Sequence, residues 1–415
     1  MNLKNRITLI LFFSLLVKVT FLLLFYEKNI SDEWSTLLNN FIASKKYSFY
    51  VFDGEYIPSS YMPPLYFLFI YLCKVFSFGL FNFIYLIYFF QIIFSTISVF
   101  LFYKICRLFL NENFSLLGTT IFAFFPLIIF SNSLISSACL QIFLYLLFLK
   151  YILKLIENKF IAIDYFKIII VSSLCLLLRG EFLIIFIFSI VYIITLRRKK
   201  ILEFIFILLI SFLLISPYVV RNYENTGKIH IVNVSGYALW KGNNHLLKVE
   251  GFHDPLHPNE RKNWPDIFEF QNLYKNLDKI KKDKKYEINR DEVFKKEALN
   301  NIFENKDKYI IFYFKKFLSY YFIDLSSSIS NYYNIFHIMP VLLISFLSIP
   351  GAIFSVKEKD PRIIYLIFLM LVITSLVSVF FILPRYKISI LIFQIFFSIF
   401  FLKKLSYFIN KKKLK

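Results

Sequence analysis

Residues 7–26 read ITLILFFSLLVKVTFLLLFY, a run whose only breaks are Ser14, Lys18 and the threonines at 8 and 20. At 1.5 Å per residue, a helix of that length crosses the roughly 30 Å hydrocarbon core of a bilayer. Lys4 and Arg6 precede it, as basic residues precede a signal peptide, yet the run is too long for a signal's apolar region and no small-x-small cleavage site follows. It reads as an uncleaved first helix with the amino terminus in the cytoplasm.

The rest of the chain repeats this pattern. Of 415 residues, 58% are hydrophobic and 55 are Phe, and the mean hydropathy of +0.63 excludes an ordinary soluble domain. The apolar runs are continuous, not alternating, so they predict helices and not a β-barrel. Cys73, Cys106, Cys139 and Cys175 fall in or beside apolar runs with no Cys-x-x-Cys pair, so they read as small buried hydrophobes. The net charge of +21 does not announce nucleic acid, because the cations sit in short loops and at helix ends. Five basic sets, at Lys104 and Arg107, Lys150–Lys159, Arg197–Lys200, Lys357–Arg362 and Lys403–Lys415, are placed together in the cytoplasm by the positive-inside rule.

That placement predicts ten crossings: Ile7–Tyr26, Phe81–Tyr103, Phe114–Phe130, Leu140–Ile156, Phe166–Leu178, Phe182–Leu196, Ile201–Tyr218, Ile335–Phe354, Ile363–Leu383 and Ile388–Phe401. Both termini then face the cytoplasm. Two further apolar segments, Pro63–Phe76 and Tyr309–Phe322, are expected along the outer membrane face. The first opens on two prolines and the second carries Lys315 and Lys316 in its middle. The expected fold class is an all-α polytopic membrane protein of about ten transmembrane helices with juxtamembrane helices and a small α/β extracytoplasmic segment. Residues 1–220 form an N-terminal module whose first outer loop is 27–80, residues 221–308 an outer cap, and residues 309–415 the C-terminal helices. Within the cap, Lys228–Trp240 alternates enough to predict a strand or two, and Glu292–Phe303 has helical spacing.

Polar groups gather where helices leave the membrane on the outer side. Asp32 and Glu33 follow the first helix, with Tyr61, Met62, Pro63, Pro64, Leu65 and Tyr66 about 30 residues on. Arg179 and Glu181 lie in a tight turn, Arg221 and Asn222 follow the seventh helix, and Arg385, Tyr386 and Lys387 open the tenth. Ionisable groups so close to lipid are functional candidates, because burying them without a polar site is costly. Plainer roles stand beside this one: snorkelling for Arg385 and Lys387, a structural ion pair for Arg179 and Glu181, and a solvated loop for Asp32 and Glu33. Tyr61, Tyr66 and Trp240 either stack on a ligand or anchor at the interface. His253 and His257 have metal-ligand spacing only on a helix, which Pro255 and Pro258 oppose.

The order of these motifs resembles the GT-C membrane glycosyltransferases of the protein O-mannosyltransferase and aminoarabinose-transferase type, along most of the chain. Met62-Pro63-Pro64-Leu65-Tyr66 is similar to that family's Arg-Pro-Pro-Leu-Tyr, and Leu178-Arg179-Gly180-Glu181 to its Thr-Arg-Pro-Glu turn. Pro217-Tyr218-Val219-Val220-Arg221-Asn222-Tyr223 is similar to its Pro-Trp-x-x-Arg-Asn-Tyr. Trp240-Lys241-Gly242-Asn243-Asn244 and Pro384-Arg385-Tyr386-Lys387 complete the series. The resemblance implies inverting sugar transfer outside the cytoplasm of a plasma (inner) membrane, from a polyprenyl-phosphate donor to a lipid, glycan or protein acceptor, with an essential carboxylate at Asp32. Glu33 would support Asp32 or a metal, while Arg179, Arg221, Arg385 and Lys387 would hold the lipid phosphate. Tyr61, Pro63, Pro64, Tyr66, Glu181, Asn222, Trp240, Asn243, Asn244 and Tyr386 are the expected substrate contacts. Membrane lipids, not nucleic acid, are the remaining partners.

The chain departs from the family pattern twice. Met62 stands where relatives carry Arg, and Leu134-Ile135-Ser136-Ser137 lacks the acid that many carry after the third helix. The second departure weakens a metal-dependent mechanism, so no cofactor is fixed and a divalent metal stays open, with Asp53, Glu55 or Glu181 as stand-ins; it equally leaves open an altered donor, or an inactive relative acting as a binding subunit. A transporter, a flippase, or a polymerase or ligase of lipid-linked glycans is the competing class. Lys18 is the main charge inside a span.

Overall fold

The computed structural model describes residues 3–30, 32–252, 270–327 and 334–413. In chain order the helices are α1 (Leu3–Phe25), α2 (Asp32–Ser44), α3 (Pro64–Phe76), α4 (Ile84–Cys106), α5 (Glu112–Ala123), α6 (Pro126–Phe130), α7 (Ala138–Glu157), α8 (Ala162–Leu178) and α9 (Phe182–Leu196). They continue as α10 (Ile201–Thr226), α11 (Ser235–Gly242), α12 (Gln271–Asp278), α13 (Tyr286–Glu304), α14 (Lys306–Tyr321), α15 (Ile335–Val356), α16 (Pro361–Ser378) and α17 (Ile388–Lys413). Two antiparallel strands, β1 (Ser48–Phe52) and β2 (Glu55–Pro58), form the one sheet among the described residues.

This is an all-α membrane protein in which seven helices (α1, α4, α7, α10, α15, α16 and α17) are long and apolar enough to cross a bilayer. α3 and α9 are apolar but shorter. The single helix expected over Phe114–Phe130 is instead α5 and α6, because Phe125, at φ −66° and ψ 129°, has the extended backbone that the following Pro126 imposes. α10 outruns its expected end at Tyr218 despite Pro217 inside it. The proline leaves the carbonyl of Leu213 without its usual amide donor, and the Ser216 hydroxyl donates to that carbonyl at 2.8 Å. The boundary expected at 220 therefore falls within a helix.

The predicted strands of Lys228–Trp240 are absent. That segment is irregular as far as Val234 and then enters α11, and the described part of the cap is helical. Strand structure lies instead in the segment between α2 and α3, where Asp53 (φ 48°) and Gly54 (φ 81°) make the two-residue turn joining β1 to β2. The core is one continuous apolar cluster through the helical body. A satellite of Tyr237, Trp240, Phe270, Leu273, Leu277, Phe294 and Ala298 lies within the cap.

Candidate functional site

Asp32 opens α2, and its side chain lies outside the described set. Glu33 is half-buried beside Tyr61, a buried residue whose hydroxyl is pushed up in pKa first by burial and then by the Glu33 carboxylate. α2 is held there by its apolar face: Trp34, Leu37 and Leu38 are buried, and Trp34 meets the ring of Tyr66 edge-on at 5.1 Å. Pro63 is extended and Pro64 begins α3, where a missing amide costs nothing. Tyr66 is fully inside the protein and donates to Gln91 Oε1 at 3.1 Å, so it is a packing residue and not a surface for a sugar.

Arg221 is engaged structurally as well. Its Nη1 donates to the Ser59 carbonyl at 2.6 Å and to Asn222 Oδ1 at 2.9 Å, while Nη2 donates to the Tyr47 carbonyl at 3.0 Å. Asn222 is buried and donates to the carbonyl of His230 at 3.0 Å. The loop thus clamped, Ser59–Tyr61, meets Glu287 of α13. The carboxylate of Glu287 accepts from Ser60 N and Ser60 Oγ, each at 2.8 Å, and from Ser59 Oγ. Ser60 Oγ is also 2.8 Å from His230 Nε2. This network, which the sequence did not announce, fastens α13 and the segment after α10 to the segment between β2 and α3.

Burial raises the Glu287 carboxyl above its ordinary 4.5, while hydrogen bonds from Ser59 and Ser60 and the charge of Arg221 oppose the rise. A carboxyl whose native value is raised holds its proton more tightly when folded. Its stabilising contribution is therefore complete below pH 4.5 and is lost as pH rises through the native value. His230, lowered chiefly by burial, acts with the opposite sign below its ordinary 6.5. Glu287→Gln should remove the component of stability that falls as pH rises above 4.5, so the difference in melting temperature between variant and wild type should change with pH from there upward; a difference that is constant across the pH series would show that Glu287 does not titrate in it.

Trp240, Asn243 and Asn244 are engaged structurally, and Asn243 makes a second fastening. Trp240 is fully buried in the satellite core. Asn243 Nδ2 donates to the carbonyls of Leu239 and Val379, at 2.8 and 2.9 Å, and Asn244 Nδ2 to that of Lys241 at 3.1 Å. Lys316 Nζ, buried in α14, donates to the Gly242 carbonyl at 3.0 Å and to Asn243 Oδ1 at 2.9 Å. A Cβ on Gly242 would lie 2.4 Å from the carbonyl carbon of Phe380, so the close approach requires glycine. Lys387 likewise donates to the carbonyls of Tyr320, Tyr321 and Phe322 at the end of α14. All three of its protons have acceptors, which leaves none for a phosphate.

A different set remains open. Arg179 follows α8 and Arg385 lies in the 3-10 turn Pro384–Lys387, and both guanidinium groups stand over the ring of Tyr386, at 5.9 and 5.8 Å. Arg385 is exposed, and Arg179 keeps 28% of its side-chain surface accessible. Arg179 Nε donates to Gln141 Oε1 at 3.1 Å and lies 3.7 Å from Glu181, the one carboxylate paired with it among the described residues. Gly180 places this turn against Val232, two residues from the His230 end of the Ser60 network.

The loop that lacks its own acid receives one from elsewhere: Glu27 Oε2 accepts from Ile135 N at 2.8 Å. Asp53 and Glu55, by contrast, sit at the exposed tip of the hairpin. Among the described residues no three His, Cys, Asp or Glu side chains are grouped to hold a metal, and His253 and His257 lie outside that set. Compared with known protein families and with curated proteins, the chain matches none.

Proposed function

We propose that the chain is a membrane glycosyltransferase that moves a sugar from a polyprenyl-phosphate donor to a lipid, glycan or protein acceptor at the extracytoplasmic face. The observation that supports it most is the meeting of Arg179 and Arg385 on Tyr386 at the ends of apolar helices, with a single carboxylate to offset two cations. A phosphate whose prenyl tail lies in lipid presents itself at that level. In the reaction, Asp32 takes the proton of the acceptor hydroxyl and the acceptor oxygen forms a bond to the anomeric carbon. The bond from that carbon to the phosphate oxygen breaks, and the departing lipid phosphate carries its charge to the two guanidinium groups. Glu33, at the same turn of α2, orients Asp32. Counting the α5–α6 pair, α8 and α9 with the seven long helices gives ten crossings, which keeps both termini in the cytoplasm with the basic sets.

Arg385→Gln and Arg179→Gln each remove a charge-assisted contact of about 1.5–3 kcal/mol. In a transfer assay with labelled polyprenyl-phosphate sugars, the KM for donor should rise by about tenfold or more in each variant. An unchanged KM in both would remove the arginine pair as the phosphate site. A second reading, movement of a lipid-linked glycan across the membrane, is favoured by Lys18, which is buried inside α1 and has no hydrogen-bond partner among the described residues. Absence of transfer from every donor, together with leaflet-to-leaflet movement that fails in Lys18→Met, would support that reading instead.

A further inference from the structure

Within about one turn, helix α13 buries three ionisable side chains, Glu287, Arg290 and Asp291. Two are satisfied. Glu287 has Ser59 and Ser60, and Asp291 accepts from Gly236 N at 2.9 Å and Tyr237 N at 2.8 Å. Arg290 is 6% exposed, yet among the described residues its guanidinium makes no hydrogen bond and no ion pair. It lies over the rings of Tyr237 and Phe294, at 5.2 and 4.8 Å, and the phenols of Tyr50, Tyr286 and Tyr61 also face it. Ring faces return only part of the cost of burying a cation, and the neighbouring Asp291 carboxylate, though it feels the charge of Arg290, accepts from backbone amides instead, so the five guanidinium donors are left without an acceptor among the described residues.

The surroundings of Arg290 suit an incoming anion. Tyr61 feels both the carboxylate of Glu33 and the guanidinium of Arg290, which brings Arg290 into the neighbourhood of Glu33 in the first turn of α2. Directly before α13, Lys279, Lys281, Lys282, Lys284 and Lys285 form an exposed basic lip. Lys282 stands 5.4 Å over the ring of Phe52, which in turn meets Tyr286 at 4.7 Å. Such a lip raises the local concentration of anions.

We propose that Arg290 anchors an anionic oxygen group, a phosphate or a carboxylate, on the acceptor whose hydroxyl is presented to Asp32 and Glu33. The planar fork of arginine takes two oxygens of such a group at once, which an ammonium does not. The word acceptor rests on the transferase reading; the binding of the anion does not.

The test uses the full chain in detergent carrying Arg179→Gln and Arg385→Gln, so that the other cationic site is silent. Inorganic phosphate, citrate and short-chain phosphatidic acid are titrated separately and the rise in melting temperature is recorded. A saturable rise is expected, with its midpoint shifted at least about tenfold when Arg290→Gln is added. A tighter midpoint for phosphatidic acid than for phosphate would assign the anion to a membrane-borne acceptor, and an equal one to a soluble acceptor. If the glutamine variant does not fold, Arg290→Lys keeps the charge and loses the fork, and its midpoint should also move. Midpoints insensitive to both substitutions, or no rise with any of the three anions, would overturn the proposal. No donor or transfer is needed, so failure of the transferase reading would be seen separately.

Discussion

Asp32→Asn is expected to reduce sugar transfer by about a hundred- to ten-thousandfold, the usual contribution of a general base, while expression and thermal stability stay at wild-type levels. Asp32 is the first residue of α2. Asparagine has the same shape and begins a helix as readily, so the substitution removes proton acceptance and little else. Glu33→Gln separates the two acids. Glu33 is half-buried against the Tyr61 side of the turn, and its loss should cost about tenfold if it only orients its neighbour. The measurement is incorporation of labelled sugar from polyprenyl-phosphate donors into membrane acceptors at matched expression. A larger loss in Glu33→Gln than in Asp32→Asn would exchange their roles, and equal transfer by wild type and Asp32→Asn would remove Asp32 as the base.

The helices were legible because their information is local. Apolar length marked α1, α4, α7, α15 and α17, two prolines marked the start of α3, and the Arg-Gly-Glu turn between α8 and α9 lies where it was expected. The break between α5 and α6 was also written locally, in the restriction that Pro126 places on Phe125, but apolarity across the break concealed it. The β1–β2 hairpin had a usable signal in Asp53-Gly54 between runs rich in aromatic and branched residues, one that a search for spans passes over. The duties of the charged residues were not legible. Arg221 and Lys387 had the residue type and helix-end position of phosphate ligands, yet the carbonyls that engage them belong to residues 162 and 66 positions away. In the recognisable run from Trp240 to Asn244, Asn243 has partners, Val379 and Lys316, that are likewise remote in sequence. Only folding decides whether a polar side chain near lipid faces a ligand or the protein's own backbone.

Gly351→Ala is expected to destabilise the membrane domain by about 3 kcal/mol or more, against the sign that helix propensity alone predicts. In an isolated helix, alanine for glycine is worth close to 1 kcal/mol in favour of the helix. Here the added Cβ would lie 1.8 Å from the carbonyl oxygen of Phe397, which belongs to the backbone of α17 and has no rotamer with which to yield. α15 and α17 would have to separate, and with them the hydrogen bond by which Ser398 Oγ holds the Ile344 carbonyl at 2.9 Å. Van der Waals contact between close backbones drives helix association within lipid, so that separation removes the attraction itself. Overpacking against a rigid wall lies at the upper end of the usual 1–3 kcal/mol range, and exceeds it when no side chain can move aside. Gly180→Ala is the control: its Cβ would meet only the side chain of Val232, at 3.4 Å, and should shift stability by less than about 0.5 kcal/mol. Unfolding in mixed micelles, followed by circular dichroism, reads both variants. A Gly351→Ala protein as stable as wild type would show that α15 and α17 do not pack at this distance, and would reopen the position of α17 and of the Arg385 turn that precedes it.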